Sequence, residues 1–165
     1  MEKRFSSENV MIYALFAFYL FVLTWAILWK FNVPYIGDGT ERVINMIPFH
    51  ANSDSEMRFN VFIFIPFGFY ISAITSKPAV DKQILITFLT STAFEALQYI
   101  LAIGRSDITD IILNTFGGII GILAFSLTTA LFGKRTCEAL LILSIIITAL
   151  CLLVVAFFIM FVKFV

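Results

Sequence analysis

Residues 84–132 read ILITFLTSTAFEALQYILAIGRSDITDIILNTFGGIIGILAFSLTTALF, two apolar runs parted by one short polar break, Gly104-Arg105-Ser106-Asp107. The runs Ile84 to Ile103 and Ile108 to Phe132 are each long enough to cross about 30 Å of hydrocarbon as a helix. Lipid supplies no water to backbone groups, so a run of this length must satisfy them internally and be helical. Three further runs share the character: Val10 to Trp29, Phe59 to Ser76 and Ala139 to Val162. The expectation is an all-α integral membrane protein, a single domain over residues 1–165. It is a bundle of about five transmembrane helices near 10–29, 59–76, 84–103, 108–132 and 139–162.

Composition points the same way. Hydrophobic residues make up 61% and charged residues 13%, with mean hydropathy +1.00. A soluble domain has about 45–50% apolar and about 25% charged residues. Twenty phenylalanines would overfill a soluble core of this size, whereas lipid accepts them on outward faces. The formal net charge is zero, which excludes the basic field a nucleic-acid partner needs. The first run follows Lys3 and Arg4 but is too long for a signal-peptide core, and no small-residue cleavage site follows, so it is expected to remain as a helix. Cys137 and Cys151 fall in one run about 21 Å apart along a helix, too far to bridge.

Helix punctuation refines the boundaries. Ser53-Asp54-Ser55-Glu56 has capping-box spacing, so the second helix starts a turn above the membrane. Gly104 suits a left-handed C′ position after the third helix, and Gly133 one after the fourth. Ser106 or Asp107 caps the fourth helix, making helices three and four a tight antiparallel hairpin. Pro66 should kink the second helix. With the N-terminus cytoplasmic, Lys3, Arg4, Lys77, Lys82, Lys134 and Arg135 lie inside; Lys30, Arg42, Arg58, Arg105 and Lys163 lie outside. The inner six sit in short segments, the positions that set orientation, so the expected C-terminus is outside.

Polar residues gather at one end of this bundle. The 31–58 connection is the one long loop. Its middle, Val43 to His50, is too apolar for a solvated linker and too short to span, and reads as a re-entrant or interface-lying segment. Glu95 and Gln98 share a face of the third helix, with Ser91 and Ala102 continuing it. Asp107, Asp110 and Asn114 form a stripe on the fourth helix that Gly117, Gly118 and Gly121 extend. Such small residues let another helix approach closely. Arg58 and Asn60 stand at the same end of the second helix. The expectation is an acidic, amide-rich pocket opening outward.

The motifs Asn45-x-x-Pro48-Phe49, Asn60 with Phe64-x-Pro66-Phe67-Gly68, Glu95-x-x-Gln98 and Ser106-Asp107-Ile108-Thr109-Asp110-x-x-x-Asn114-x-x-Gly117 together resemble the VanZ family. The resemblance covers roughly residues 45–121 and is specific because four motifs occur in order. It implies a bacterial plasma-membrane protein of the cell envelope that lowers susceptibility to lipoglycopeptide antibiotics such as teicoplanin. It implies no catalytic residue, cofactor or ligand.

The candidate pocket residues are Glu95, Gln98, Asp110, Asn114, Asp107, Arg58, Asn60, Asn45 and Arg105. Several have plain structural readings beside the functional one. Asp107 works as a helix cap, and Asp110 answers the positive helix end. Arg58 and Arg105 reach headgroups, or neutralise a carboxylate. Asn60 and Asn114 join helices through hydrogen bonds. His50 reads as an interfacial residue. Glu95 stands apart, because a carboxylate facing lipid at mid-depth costs about 2.5–3.5 kcal/mol and so must face the bundle. No nucleophile has a histidine at recognisable spacing, and no phosphate loop or Cys/His zinc pattern occurs; Glu95, Asp107 and Asp110 could hold a hard divalent ion through oxygen ligands, but their spacing is not diagnostic, so no cofactor or metal is assigned. Three functions remain open. The first is a protein that binds membrane lipid, a lipid-linked cell-wall precursor or the lipoglycopeptide. The second is an intramembrane enzyme on such a precursor with Glu95 and Asp110 as acid and base. The third is a proton-coupled transporter, against which the lack of matching broken-helix repeats counts.

Overall fold

A computed structural model describes residues 7–30, 33–39, 42–50, 53–75, 79–132 and 136–162. It contains α1 (Ser7–Trp29), β1 (Ile44–Asn45), α2 (Asp54–Ile74), α3 (Val80–Leu101), β2 (Ser106–Asp107), α4 (Ile108–Phe132) and α5 (Thr136–Val162). Among the described residues, four helices are long and apolar enough to cross a membrane: Val10–Trp29 within α1, and α2, α3 and α4 whole. Among the residues of these helices, Phe21, Phe62, Ile100 and Leu131 are more than 60% exposed, a pattern suited to lipid and costly in water. Gly133 and the cations Lys3, Arg4, Lys77, Lys134, Arg135 and Lys163 lie outside the described residues.

The capping box forms as its spacing predicts. The Glu56 N–H donates to Ser53 Oγ at 3.3 Å, and the Ser53 N–H donates to Glu56 Oε2 at 3.2 Å. From there α2 runs on through the buried Pro66. Its most extensive partner is α4. A Cβ at Gly117 would stand 2.1 Å from the Val61 carbonyl oxygen, and one at Gly121 2.0 Å from that of Ile65. The two backbones touch here only because the side chains are missing. Around this seam lies an aromatic core of Tyr19, Phe64, Phe67, Tyr70 and Phe94. Tyr70 reaches beyond it, donating or accepting at Thr148 Oγ1 and donating to the Ser144 carbonyl of α5 at 3.0 Å.

One local expectation is corrected. The left-handed residue after α3 is Ala102 (φ 53°), not Gly104. α3 ends earlier than its apolar run, and Ile103 N–H to Gln98 O (3.1 Å) with Ala102 N–H to Tyr99 O (3.3 Å) makes a Schellman closure there. Ile103 is then buried beneath the turn, and the chain from Gly37 docks on it, with Gly37 N–H donating to Leu101 O at 2.9 Å. A short strand pairing also occurs inside this helical protein. Ile44–Asn45 runs parallel to Ser106–Asp107, pairing Ile44 with Ser106 and Asn45 with Asp107. The apolar loop segment is thereby held against the α3–α4 corner, and Ile44, Met46, Ile47 and Phe49 remain exposed, as an interface-lying segment would be.

Candidate functional site

Four helix ends meet beneath that loop: the C-terminal ends of α1 and α3 and the N-terminal ends of α2 and α4. They enclose a pocket of about 660 Å³. Its wall includes Asn60 of α2, Glu95 and Gln98 of α3, and Asp107, Asp110 and Asn114 near the start of α4. Lys30, Tyr35, Glu56 and Arg105 also line it. Lys30 Nζ and Glu56 Oε1 are 3.4 Å apart and both well exposed, so this pair forms a loose rim contact.

Glu95 is buried, and its Oε2 accepts the backbone N–H of Asp107 at 2.8 Å. Asp107 is a junction. Its Oδ1 accepts the N–H of Thr109, the second residue of α4, at 2.9 Å, which is the capping bond. Its Oδ2 accepts from Asn45 Nδ2 at 2.9 Å and from Arg105 at 3.0 Å. Burial pushes the Asp107 carboxyl up. The bonds from Asn45 and Thr109 and the Arg105 guanidinium outweigh that and hold it below the ordinary carboxylate range. Asn45 is fixed in turn, donating to His50 O at 3.1 Å and accepting from the Ile47 N–H at 3.2 Å. Phe49 N–H adds a bond to Thr109 Oγ1 at 2.9 Å.

Deeper in the bundle, Asn114 Nδ2 donates to Ser91 Oγ at 2.9 Å and Gln98 Nε2 donates to the Ile27 carbonyl at 3.0 Å. Each of these amides keeps an oxygen with no hydrogen-bond partner. Asn60 is buried at the wall.

Of the nine candidates, seven line the pocket. Asn45 acts through Asp107 from outside the wall. Arg58 does not line it and is exposed on the first turns of α2. Sequence reasoning missed Lys30, Glu56 and Tyr35, which reach the pocket from flanking turns without a stripe to announce them. It also missed Ser72, Gln83 and Thr87, buried below the pocket, with Ser72 Oγ donating to Gln83 Oε1 at 2.9 Å. Their signal was present: Gln83, Thr87, Ser91 and Glu95 recur every four residues along α3. Among the described residues, no group of three or more His, Cys, Asp or Glu side chains is placed to hold a metal ion.

Fold and site define a polytopic helical membrane protein with a polar, carboxylate-bearing pocket at one end of its bundle. The chain belongs to the VanZ family: the VanZ/LLP1 family model matches residues 16–132, from α1 to the end of α4. Protein VanZ of Enterococcus faecium is 34% identical over 143 residues, covering 85% of this chain and 89% of that protein. No solved structure matches the chain.

Proposed function

We propose that this protein lowers the susceptibility of a bacterial cell to lipoglycopeptide antibiotics such as teicoplanin. In this reading it sits in the plasma membrane as one domain, with the N-terminus cytoplasmic, the C-terminus outside and the pocket opening at the outer leaflet. There it binds a lipid-linked or cell-wall component and so reduces antibiotic action at the surface. The observation that carries the reading is the pocket of about 660 Å³ with the buried Glu95 in its wall. A carboxylate at that depth has a cost that packing alone does not explain. Family membership and similarity to Protein VanZ support the same reading.

The test is expression of the full chain and of Glu95→Gln in a susceptible host, with membrane levels matched. Reduced teicoplanin susceptibility for the wild type and none for Glu95→Gln is the expected result. Equal protection from both would remove the pocket from the function. Turnover of a lipid-linked precursor by purified protein would assign Glu95 and Asp110 an acid–base role instead of a binding one.

A further inference from the structure

The pocket's chemistry is lopsided. Its wall carries the carboxylates of Glu95 and Asp110. It also carries Gln98 and Asn114, exposed only 6% and 0%, each with an amide oxygen that has no hydrogen-bond partner. Buried acceptors without donors are costly, and native proteins leave few of them. The two cations on the wall stand in ion pairs already, Arg105 with Asp107 at 3.0 Å and Lys30 with Glu56 at 3.4 Å. The wall therefore brings two acidic side chains together with two amide oxygens that have no donor.

We propose that the pocket recognises a primary ammonium group carried on a phosphate-linked lipid headgroup. This rests on the reading of the pocket as a binding site for a membrane-borne component and names the chemistry it selects. An ammonium has three donors and no acceptor, so it answers unpartnered oxygens and carboxylates together. A sugar or glycerol hydroxyl brings acceptors of its own and no charge, and a quaternary ammonium brings charge without N–H donors. The lipid attachment follows from the loop. Ile44, Met46, Ile47 and Phe49 are exposed, and the parallel pairing holds their segment against Ser106 and the pocket residue Asp107. Acyl chains thus have an apolar surface beside a headgroup site. The Lys30–Glu56 contact at the rim is loose, 3.4 Å with side chains 73% and 51% exposed, so a headgroup phosphate can compete with Glu56 for Lys30 there.

The experiment uses the purified full chain in detergent, mixed with equimolar phosphatidylethanolamine, phosphatidylcholine and phosphatidylglycerol, and counts retained lipids by native mass spectrometry. Phosphatidylethanolamine should be retained about tenfold over either competitor, the selectivity that one good charge-assisted bond supplies. Glu95→Gln and Asp110→Asn, confirmed folded by melting, should each bring that ratio close to parity. Equal retention of all three lipids by the wild type overturns the proposal, and so does a preference that both variants keep. If phosphatidylglycerol is preferred and Glu95→Gln abolishes that, the ammonium assignment fails while the pocket stays a headgroup site. If the variants also protect cells fully, the functional reading falls with it.

Discussion

The Glu95 carboxylate accepts the backbone N–H of Asp107 at 2.8 Å, which makes the buried acid of α3 and the cap of α4 parts of one unit. Glu95 therefore serves the chain as an acceptor, and under the proposed function it serves the pocket as an acidic group as well.

Glu95→Gln retains an oxygen for the Asp107 N–H and deletes the charge, so the protein should fold and insert normally while protection against teicoplanin is lost. Glu95→Ala strands that buried N–H and should cost about 1–3 kcal/mol more than Glu95→Gln. Melting in detergent beside a susceptibility assay separates the two. Identical melting of the two variants would mean that the bond to Asp107 contributes nothing. Gln98→Leu removes the bond to Ile27 O and should act like Glu95→Gln, though less completely.

If Asp107 were a helix cap alone, asparagine would serve in its place. The structure predicts otherwise. Both oxygens accept, and Oδ2 faces two donors, Asn45 Nδ2 and Arg105. An amide nitrogen there meets donors, so Asp107→Asn should lose about 1–2 kcal/mol and Asp107→Ala more. The pH dependence follows in sign. The folded carboxyl titrates below its ordinary value of 3.8, so its contribution is complete above that value and fades as pH falls through the lower folded one. The melting gap between wild type and Asp107→Asn should therefore be constant near neutrality and narrow below about pH 4. A gap unchanged at acid pH would refute the charged network.

The seam between α2 and α4 has no room for bulk. Gly117→Leu and Gly121→Leu each drive a side chain into carbonyl oxygens about 2 Å from the Cβ position. Each should cost at least the roughly 1–3 kcal/mol of ordinary overpacking and reduce folded protein on size exclusion. Asp110→Asn, about two turns above Gly117 and about three above Gly121, should melt as the wild type does and yet impair protection. Early melting of Asp110→Asn with stable glycine variants would reverse these roles.

Orientation is tested by single cysteines at Asp38 and Lys82 in a background lacking Cys137 and Cys151. An impermeant thiol reagent on intact cells should label the Asp38 position alone. Labelling at Lys82 alone would turn the protein over.

Much of this was legible because membranes simplify the code. The apolar run from Ile108 to Phe132 is α4 to the residue, and the capping box at Ser53 forms with both its bonds. The stripe of Asp107, Asp110 and Asn114 does meet the Glu95–Gln98 face around one cavity. What escaped is decided by distant chain. Ala102 takes the left-handed turn because Ile103 has a buried place to go and Gly37 docks there, neither visible from residues 98–104. Arg58 shares its helix end with Asn60, yet it lies two residues away and so on another face. The pairing of Asn45 with Asp107 joins positions 62 apart, beyond any local pattern.

That pairing also dates itself in biosynthesis. Residue 45 leaves the ribosome long before residue 107, and α2 and α3 must both enter the bilayer before Ser106 N–H can reach Val43 O, a contact of 2.9 Å. Until then the loop's polar groups depend on water or headgroups. The loop pairing is thus among the last contacts to set, and a chain stalled before α4 would carry Glu95 without the N–H of Asp107 that it accepts in the finished protein.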